Sequence, residues 1–510
     1  MAANNLHGLL KLGCVMSAAL LATLSLASCA GPTTTGQSAD DRPLVSIMAP
    51  LHFPHAPDPA LIKEIERLTD TRLDIKWVPD GIYSDKMNTS LMTNSLKKAT
   101  FVKYTDYNVV KNSVRSGAFW EIGPYLERFP NLNTLNGEIL NQSALDDKIY
   151  GLYTERLSSR QGIIIREDWL EKLRRHKPET IDELYKVMRA FTYEDPDGNG
   201  IDDTIGIADR NDLIFGVFKT LSSYFGTPNN WRVTGKRLVP EFETPEYLET
   251  MNFMRKLYEE KIMNQDFAVT SKEVQRDLFI RGKAGVYMGS MLDVQRLADA
   301  AQLINPQARF ALINRIKGPQ GYKIWSIPNY NGLYLFSKKA IKTEDELLEV
   351  LRFFDRSMEK DVANLMKYGF EGRHYQTEGD RVILPEESKE LRANELSVIY
   401  TLMIADLSNP NIMKVVKQDS LSETAERLSE DNESFIVRDP TVGLKSDTAD
   451  EKNVELYKII SDATYNYILG QLDEEGFRQE IERWKRNGGS KIIAEYTNDY
   501  FDNDVTGASP

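Results

Sequence analysis

Two cysteines, Cys14 and Cys29, are all that the 510 residues contain, and both lie at the start of the chain. The body after Cys29 therefore has no thiol pair for a disulfide and no thiolate for catalysis, so its fold rests on hydrophobic cores alone. A chain this long can build two domains that each bury a core. Ahead of Cys29 the only charged residue is Lys11. An apolar run passes through Leu20, Leu24 and Leu26, and the small residues Ala27 and Ser28 precede the cysteine. That order reads as a secretory signal, because the uncharged stretch is too short and too interrupted for a membrane span.

Small residues directly before a cysteine resemble the signal of a bacterial lipoprotein. The resemblance implies cleavage after residue 28, a thioether-linked diacylglycerol on Cys29 and an acylated new N-terminus. Acyl chains at about 0.8 kcal/mol per buried methylene would hold the body at the outer face of the cytoplasmic membrane, outside the cell. An ordinary signal peptide with an incidental Cys29 is the alternative. Residues 1–28 are thus expected to be removed. Residues 29–42 are expected to form a lipidated flexible tether, since AGPTTTGQSADD at 30–41 is small, polar and unpatterned.

Basic residues number 63 and acidic ones 76, well mixed, for a net charge of -13. This disfavours a nucleic-acid surface or a polybasic membrane patch, and a neutral or weakly charged ligand is the easier one to accommodate. No later stretch has the length and apolarity of a membrane span.

The body opens with strand-like residues 44–50, a helix pattern over 58–71 with Leu61, Ile62, Ile65 and Leu68 on one face, and an alternating strand over 73–78. Strand, helix and strand at this spacing predict parallel pairing and an α/β lobe. A helix over 83–98, a strand over 101–104 and a helix over 109–116 follow. Asp106 falls where that strand ends, the edge at which open α/β sheets present ligand-contacting side chains; a turn or helix-cap role is the alternative. Strands at 149–153 and 162–166 and a helix over 181–188, with Thr180 as its cap, continue the pattern.

The next stretch, DPDGNGIDD at 195–203, places oxygens at Asp195, Asp197, Asn199 and Asp203, the first, third, fifth and ninth places of a calcium loop. Gly200 stands where the sharp turn is needed, and Ile201 can offer its carbonyl. The twelfth place is Gly206, so the usual bidentate glutamate is missing and Glu194, Asp202, Thr204 or water must help. A structural Ca2+ site is expected here; an Asx-rich turn without metal is the alternative.

Further along, Trp231 sits in a Gly/Pro/Asn loop, residues 232–240 read as a hairpin, and helices are expected over 244–258, 271–281 and 292–300. Strands are expected at 284–288, 310–312, 321–325 and 333–336. Helical patterns at 344–355, 389–407, 424–430, 454–469 and 477–484 dominate the C-terminal part.

Taken in order, the signal, IREDWL at 165–170, the 195–203 loop, RGKA at 281–284, LFSKK at 335–339 and GFEGRHY at 369–375 resemble the family 1 extracellular solute-binding lipoproteins of bacterial ABC importers, in their long oligosaccharide-binding branch. The resemblance covers essentially the whole body, through the order of the motifs rather than any single one. It implies a two-lobed α/β fold of the periplasmic-binding-protein type, with hinge crossings and a helical C-terminal part. Residues 43–162 and 330–360 are expected in the first lobe, 163–329 and 361–505 in the second. It further implies a monomer that captures an oligosaccharide in its cleft and delivers it to a permease, without a reaction.

A sugar presents hydroxyls for polar contacts and an apolar CH face for a ring. The candidates for such contacts are Asp106, Trp120, Arg166, Trp231, Tyr287, Trp325, Tyr330, His374 and Tyr375, each with core packing, a cap or a salt bridge as its alternative. Peptide or metal cargo, a glycoside hydrolase and a structural surface protein remain alternatives at this point.

Overall fold

The computed structural model describes residues 40–416 and 420–505. The signal at 1–28, Cys29 and the tether up to residue 39 lie outside the described residues. Among the described residues two sheets organise the body. The first has the strand order Arg72–Pro79, Leu44–Leu51, Ala99–Lys103, Tyr330–Phe336, Gly151–Glu155. Leu44–Leu51 runs parallel to both its neighbours, and Tyr330–Phe336 returns antiparallel between Ala99–Lys103 and Gly151–Glu155. The connecting helix Pro59–Thr69 starts where the Asp58 carboxylate accepts the Ala60 N–H at 2.8 Å and proline fits the first helical position. It buries Leu61 and Ile65 and stops at Asp70, which adopts a left-handed conformation.

The second sheet has the order Phe310–Ile313, Gln161–Arg166, Ala284–Ser290, Ile205–Ile207, with only the last pair parallel. Every residue of Gln161–Arg166 is buried. Ile163 and Ile165 enter one core and Ile164 another on the opposite face, as the two-residue period of a strand requires. Burial on both faces explains the uninterrupted apolar run, each isoleucine contributing about 1.5–3 kcal/mol.

Each sheet has its own core. Val45, Ile47, Tyr83, Phe101, Tyr334 and Phe354 belong to the first, and Ile165, Trp169, Phe191, Met251, Val286 and Trp325 to the second. The helices Asp447–Ile468, Glu474–Trp484 and Ser490–Val505 form the helical C-terminal part and give Leu456, Ile460, Trp484 and Ile492 to the second core. The lobe boundary expected at residue 360 needs correction. Val362, Leu365 and Met366 of helix Lys360–Tyr368, together with Leu396, Ile399 and Leu402, pack in the first core. An amphipathic face shows that a helix packs, not which core receives it. Here helix Lys360–Tyr368 lies against Pro59–Thr69, some 300 positions earlier.

Two of the described segments that cross between the sheets run side by side. The Arg156 N–H donates to the Asn329 carbonyl and the Ile327 N–H to that of Ser158, both at 3.0 Å. Asn329 Nδ2 also donates to Ser158 Oγ at 2.6 Å. Glu433 accepts from the Ser158 N–H and hydroxyl at 2.9 and 3.1 Å. Such a narrow connection, with no core of its own, is where two packed bodies can rotate. No described helix is long and apolar enough to cross a membrane.

Candidate functional site

A cavity of about 400 Å³ lies between the elements of the two cores. From the first side Tyr104 and Tyr107, just past strand Ala99–Lys103, reach it together with Tyr330. Tyr104 and Tyr330 meet edge to face at 5.6 Å. Burial pushes the Tyr104 phenol up to about 12, so it stays a neutral hydrogen-bonding group at any physiological pH. From the second side come Phe218, Trp231 and Tyr457. Trp231 is half-buried, its ring edge-on to Tyr496 at 5.4 Å.

A polar network is set into this aromatic wall. Lys219 sits on helix Val217–Phe225, buried throughout up to Tyr224. A buried ammonium requires partners. Lys219 Nζ donates to Asn230 Oδ1 at 2.8 Å and pairs with Glu241. The Asn230 amide in turn donates to Asp439 at 2.7 Å. Across the cavity, Arg115 of helix Tyr107–Arg115 pairs with Asp450 of helix Asp447–Ile468 at 3.0 Å, and Lys111 stands 3.8 Å from the same carboxylate. Burial pushes Lys111 down, and Asp450 opposes that shift. These groups can exchange hydrogen bonds with hydroxyls while the rings accept a CH face, with no nucleophile–base pair required.

Of the residues expected from sequence, Trp231 and Tyr330 line the cavity. The others lie outside its lining. Asp106 accepts the Ser84 hydroxyl beside it. Trp120 packs on the first core with its Nε1 donating to the Ile341 carbonyl at 3.3 Å. Arg166 is only 3% exposed, forks onto Asp168 at 2.9 and 2.6 Å and covers the Trp169 ring at 4.6 Å, so it holds the helix entry together. Tyr287 packs against Phe279 inside the core at 5.8 Å. Trp325 is 3% exposed, donates from Nε1 to Thr220 Oγ1 at 3.0 Å and packs on Phe215.

His374 and Tyr375 close a turn instead. His374 is fully buried, its Nδ1 accepting the Phe370 N–H at 2.9 Å and its Nε2 lying 3.1 Å from Glu395. Gly369 has φ +79°, and a Cβ there would lie 2.4 Å from His374 Nδ1, which accounts for the glycine in that motif. Tyr375 packs on Tyr368 at 5.8 Å. The sequence reading missed Tyr104, Lys219, Asn230, Glu241 and Asp450. For Lys219 a signal existed, as the one charge in an otherwise apolar or hydroxylated helix, VFKTLSSYF.

The loop at 195–203 curls as its glycines allow, Gly198 and Gly200 both having positive φ. Asp195 accepts the N–H groups of Gly198, Asn199 and Gly200 at 2.9, 3.1 and 3.1 Å. The Asn199 amide bridges Asp197 and Asp203 at 2.8 and 3.2 Å, and Lys283 pairs with Asp203. Ile201 is exposed. Burial first, then the carboxylates Asp195 and Asp203, hold Asp197 above the usual carboxylate range. Among the described residues no group of three or more His, Cys, Asp or Glu side chains converges to hold a metal ion. The donor chemistry suits a hard cation, but the side chains as they stand satisfy one another. None of these residues lines the cavity.

No family model matches the chain. It is 44% identical over 462 residues, 90% of this chain and 91% of the other, to the polygalacturonan/rhamnogalacturonan-binding protein YtcQ of Bacillus subtilis strain 168. It is 32% identical over 486 residues, 93% of this chain and 95% of the other, to the lipoprotein LipO of the same organism. Among solved structures, its fold matches that of the Streptococcus pneumoniae ABC-transporter substrate-binding protein FusA, an EF-hand mutant in complex with fructo-nystose. There the TM-score is 0.68 at 18% identity, covering 91% of this chain and 100% of the other.

Proposed function

The chain belongs to the extracellular solute-binding proteins that serve ABC importers, and from that premise we propose that its cleft captures an oligosaccharide and presents it to a membrane permease. The observation that carries this reading is the cavity between the two cores, where Tyr104, Tyr330 and Trp231 offer ring faces beside the Lys219–Asn230–Asp439 network. Rings take the apolar side of a sugar, and amides and carboxylates take its hydroxyls. Closing about the crossings would bring both walls onto the ligand, and opening would release it unchanged. This is binding without turnover.

The test is calorimetry against a panel of acidic and neutral oligosaccharides, because YtcQ is a polygalacturonan/rhamnogalacturonan-binding protein and the FusA structure is a complex with fructo-nystose. Saturable binding of an oligosaccharide recovered intact after prolonged incubation supports the reading. Hydrolysis, or binding of peptides alone, overturns it.

Two further parts complete the proposal. The lipoprotein-like signal and the relative LipO support a lipid on Cys29 that keeps the body at the outer face of the membrane. Mass spectrometry of the exported N-terminus reads it directly, and an unmodified Cys29 excludes it. The oxygen spacing of the 195–203 loop, and the EF-hand of FusA, support calcium held by Asp195, Asp197, Asn199, the Ile201 carbonyl and Asp203. When bound, the ion would tie the helix Ile181–Tyr193 to the strand Ile205–Ile207.

A further inference from the structure

The net charge of -13 is a sum over the whole chain and conceals where its cations stand uncompensated. Arg156 and Arg160 lie on the crossing segment between strands Gly151–Glu155 and Gln161–Arg166, both half-buried. Neither is in an ion pair among the described residues. The Arg156 side chain donates only a long bond, 3.4 Å, to the Leu157 carbonyl, and the buried Arg160 Nε has no partner.

Burial, and then the charge of Arg160, pushes the Arg156 guanidinium down to about 9; at neutral pH it is still a cation. Burial likewise lowers Arg160, with Asp293 and Tyr400 acting the other way. Asp293 is already engaged by Arg276 at 2.8 Å and Arg296 at 3.3 Å, with Lys272 close by. The carboxylates nearest the crossing have other partners too: Glu433 accepts from Ser158 and Asp80 from Lys103. Two partly buried guanidinium groups with no ion pair of their own are costly unless a ligand supplies a carboxylate.

The other half of a sugar site stands next to them. Tyr400 is 43% exposed and Phe53 37%, large rings left open to solvent. Phe53 meets Tyr400 edge to face at 6.5 Å, and His52 stacks on Tyr400 at 5.9 Å. Burial and then Asp80 raise the Tyr400 phenol, with Arg160 acting the other way; burial and then Asp439 raise Tyr104, on the cavity wall, with Arg156 acting the other way. Neither arginine lines the cavity itself; Arg156 is within electrostatic reach of Tyr104 on its wall, and Arg160 of the exposed Tyr400.

We propose that the crossing segment is a carboxylate-reading subsite, in which Arg156 and Arg160 bind the carboxylate of a uronic acid unit while Tyr400 and Phe53 stack on sugar faces beside it. Planar guanidinium groups match a carboxylate by paired N–H donors, which selects an acidic sugar over its neutral counterpart. The same placement ties ligand to hinge, because the groups that would bind it sit on the segment about which the lobes turn. This proposal rests on the oligosaccharide reading and names the class of sugar.

The experiment measures the affinity of the full exported body for trigalacturonate and for its fully methyl-esterified form by calorimetry, in wild type and in Arg156→Gln, Arg160→Gln and Arg160→Lys. Wild type is expected to prefer the free acid by about tenfold or more, a preference that weakens with salt. Each glutamine variant should bring the ratio of the two affinities toward one, and Arg160→Lys should recover part of it. Without sugar, Arg160→Gln should melt no lower than wild type, since it removes an uncompensated charge. Equal wild-type affinity for acid and ester overturns this proposal and leaves the oligosaccharide function standing, as does binding of neutral oligosaccharides alone. An unchanged ratio in both glutamine variants overturns the placement on the crossing. Failure to bind any oligosaccharide overturns both readings together. If the glutamine variants do not fold, the acid-to-ester ratio of wild type and of Arg160→Lys still decides.

Discussion

Trp231 and Trp325 were alike as sequence, indoles near proline in strand-and-loop stretches, and they differ in what their rings touch. Trp231 is half-buried and borders the cavity, whereas Trp325 is 3% exposed and bonded through Nε1 to Thr220. Trp231→Ala is accordingly expected to weaken sugar binding by about 1–3 kcal/mol with little change in unfolding midpoint. Trp325→Ala should cost about 3–5 kcal/mol of stability and affect binding only through the fold. Calorimetry and urea titration on the two variants check this, and the opposite assignment of losses would show that the cavity is not where sugar stacks. Lys219 illustrates the limit of reading single residues. Its oddity within an apolar helix is visible in the sequence, but its partner Glu241 lies on the far side of a loop and hairpin, and nothing local connects the two.

At the scale of an element, the 195–203 loop is the most legible piece of the chain, because oxygen spacing and glycine placement are both local properties. Its side chains currently answer one another: Asn199 bridges two carboxylates and Lys283 neutralises Asp203. An ion binding there would compete with Lys283 for Asp203. Calcium should therefore raise the melting temperature of wild type over the chelated protein, Asp197→Ala should abolish the difference, and Lys283→Met should enlarge it. If exhaustive chelation leaves the melting temperature unchanged and metal analysis finds none, the stretch is a hydrogen-bonded turn. The GFEGRHY motif has the reverse lesson: its sequence is conspicuous, yet the buried His374 spends its Nδ1 on the Phe370 N–H and its purpose is a turn.

For the whole molecule, the groups that span the cleft matter most. Arg115 and Lys111 on one side share Asp450 on the other. These contacts exist only while the walls are close, so they favour the closed form before any ligand enters. In Asp450→Ala, the two cations on the first side would lose the carboxylate that reaches them from the other, Arg115 keeping only Asp146 on its own side. The free protein should then show a larger radius of gyration by small-angle scattering, and the apparent affinity for sugar should fall by roughly fivefold, the worth of a partly exposed ion pair. Added sugar should bring the radius of wild type and variant to the same smaller value. A free variant as compact as wild type would remove Asp450 from the closing mechanism.

The sequence by itself determined the class of the fold and much of its local grammar. The period-two and period-3.6 patterns, the Thr180 cap and the near absence of cysteine are properties of neighbouring residues, and each survives in the structure as a strand, a helix or a core without disulfides. Which core receives helix Lys360–Tyr368, which aromatics reach the cavity, and which arginines are left without carboxylates were decided only by tertiary structure. Those outcomes depend on contacts between residues hundreds of positions apart. Burial on a helix or strand face is encoded locally, but the identity of the group on the other side of that face is not.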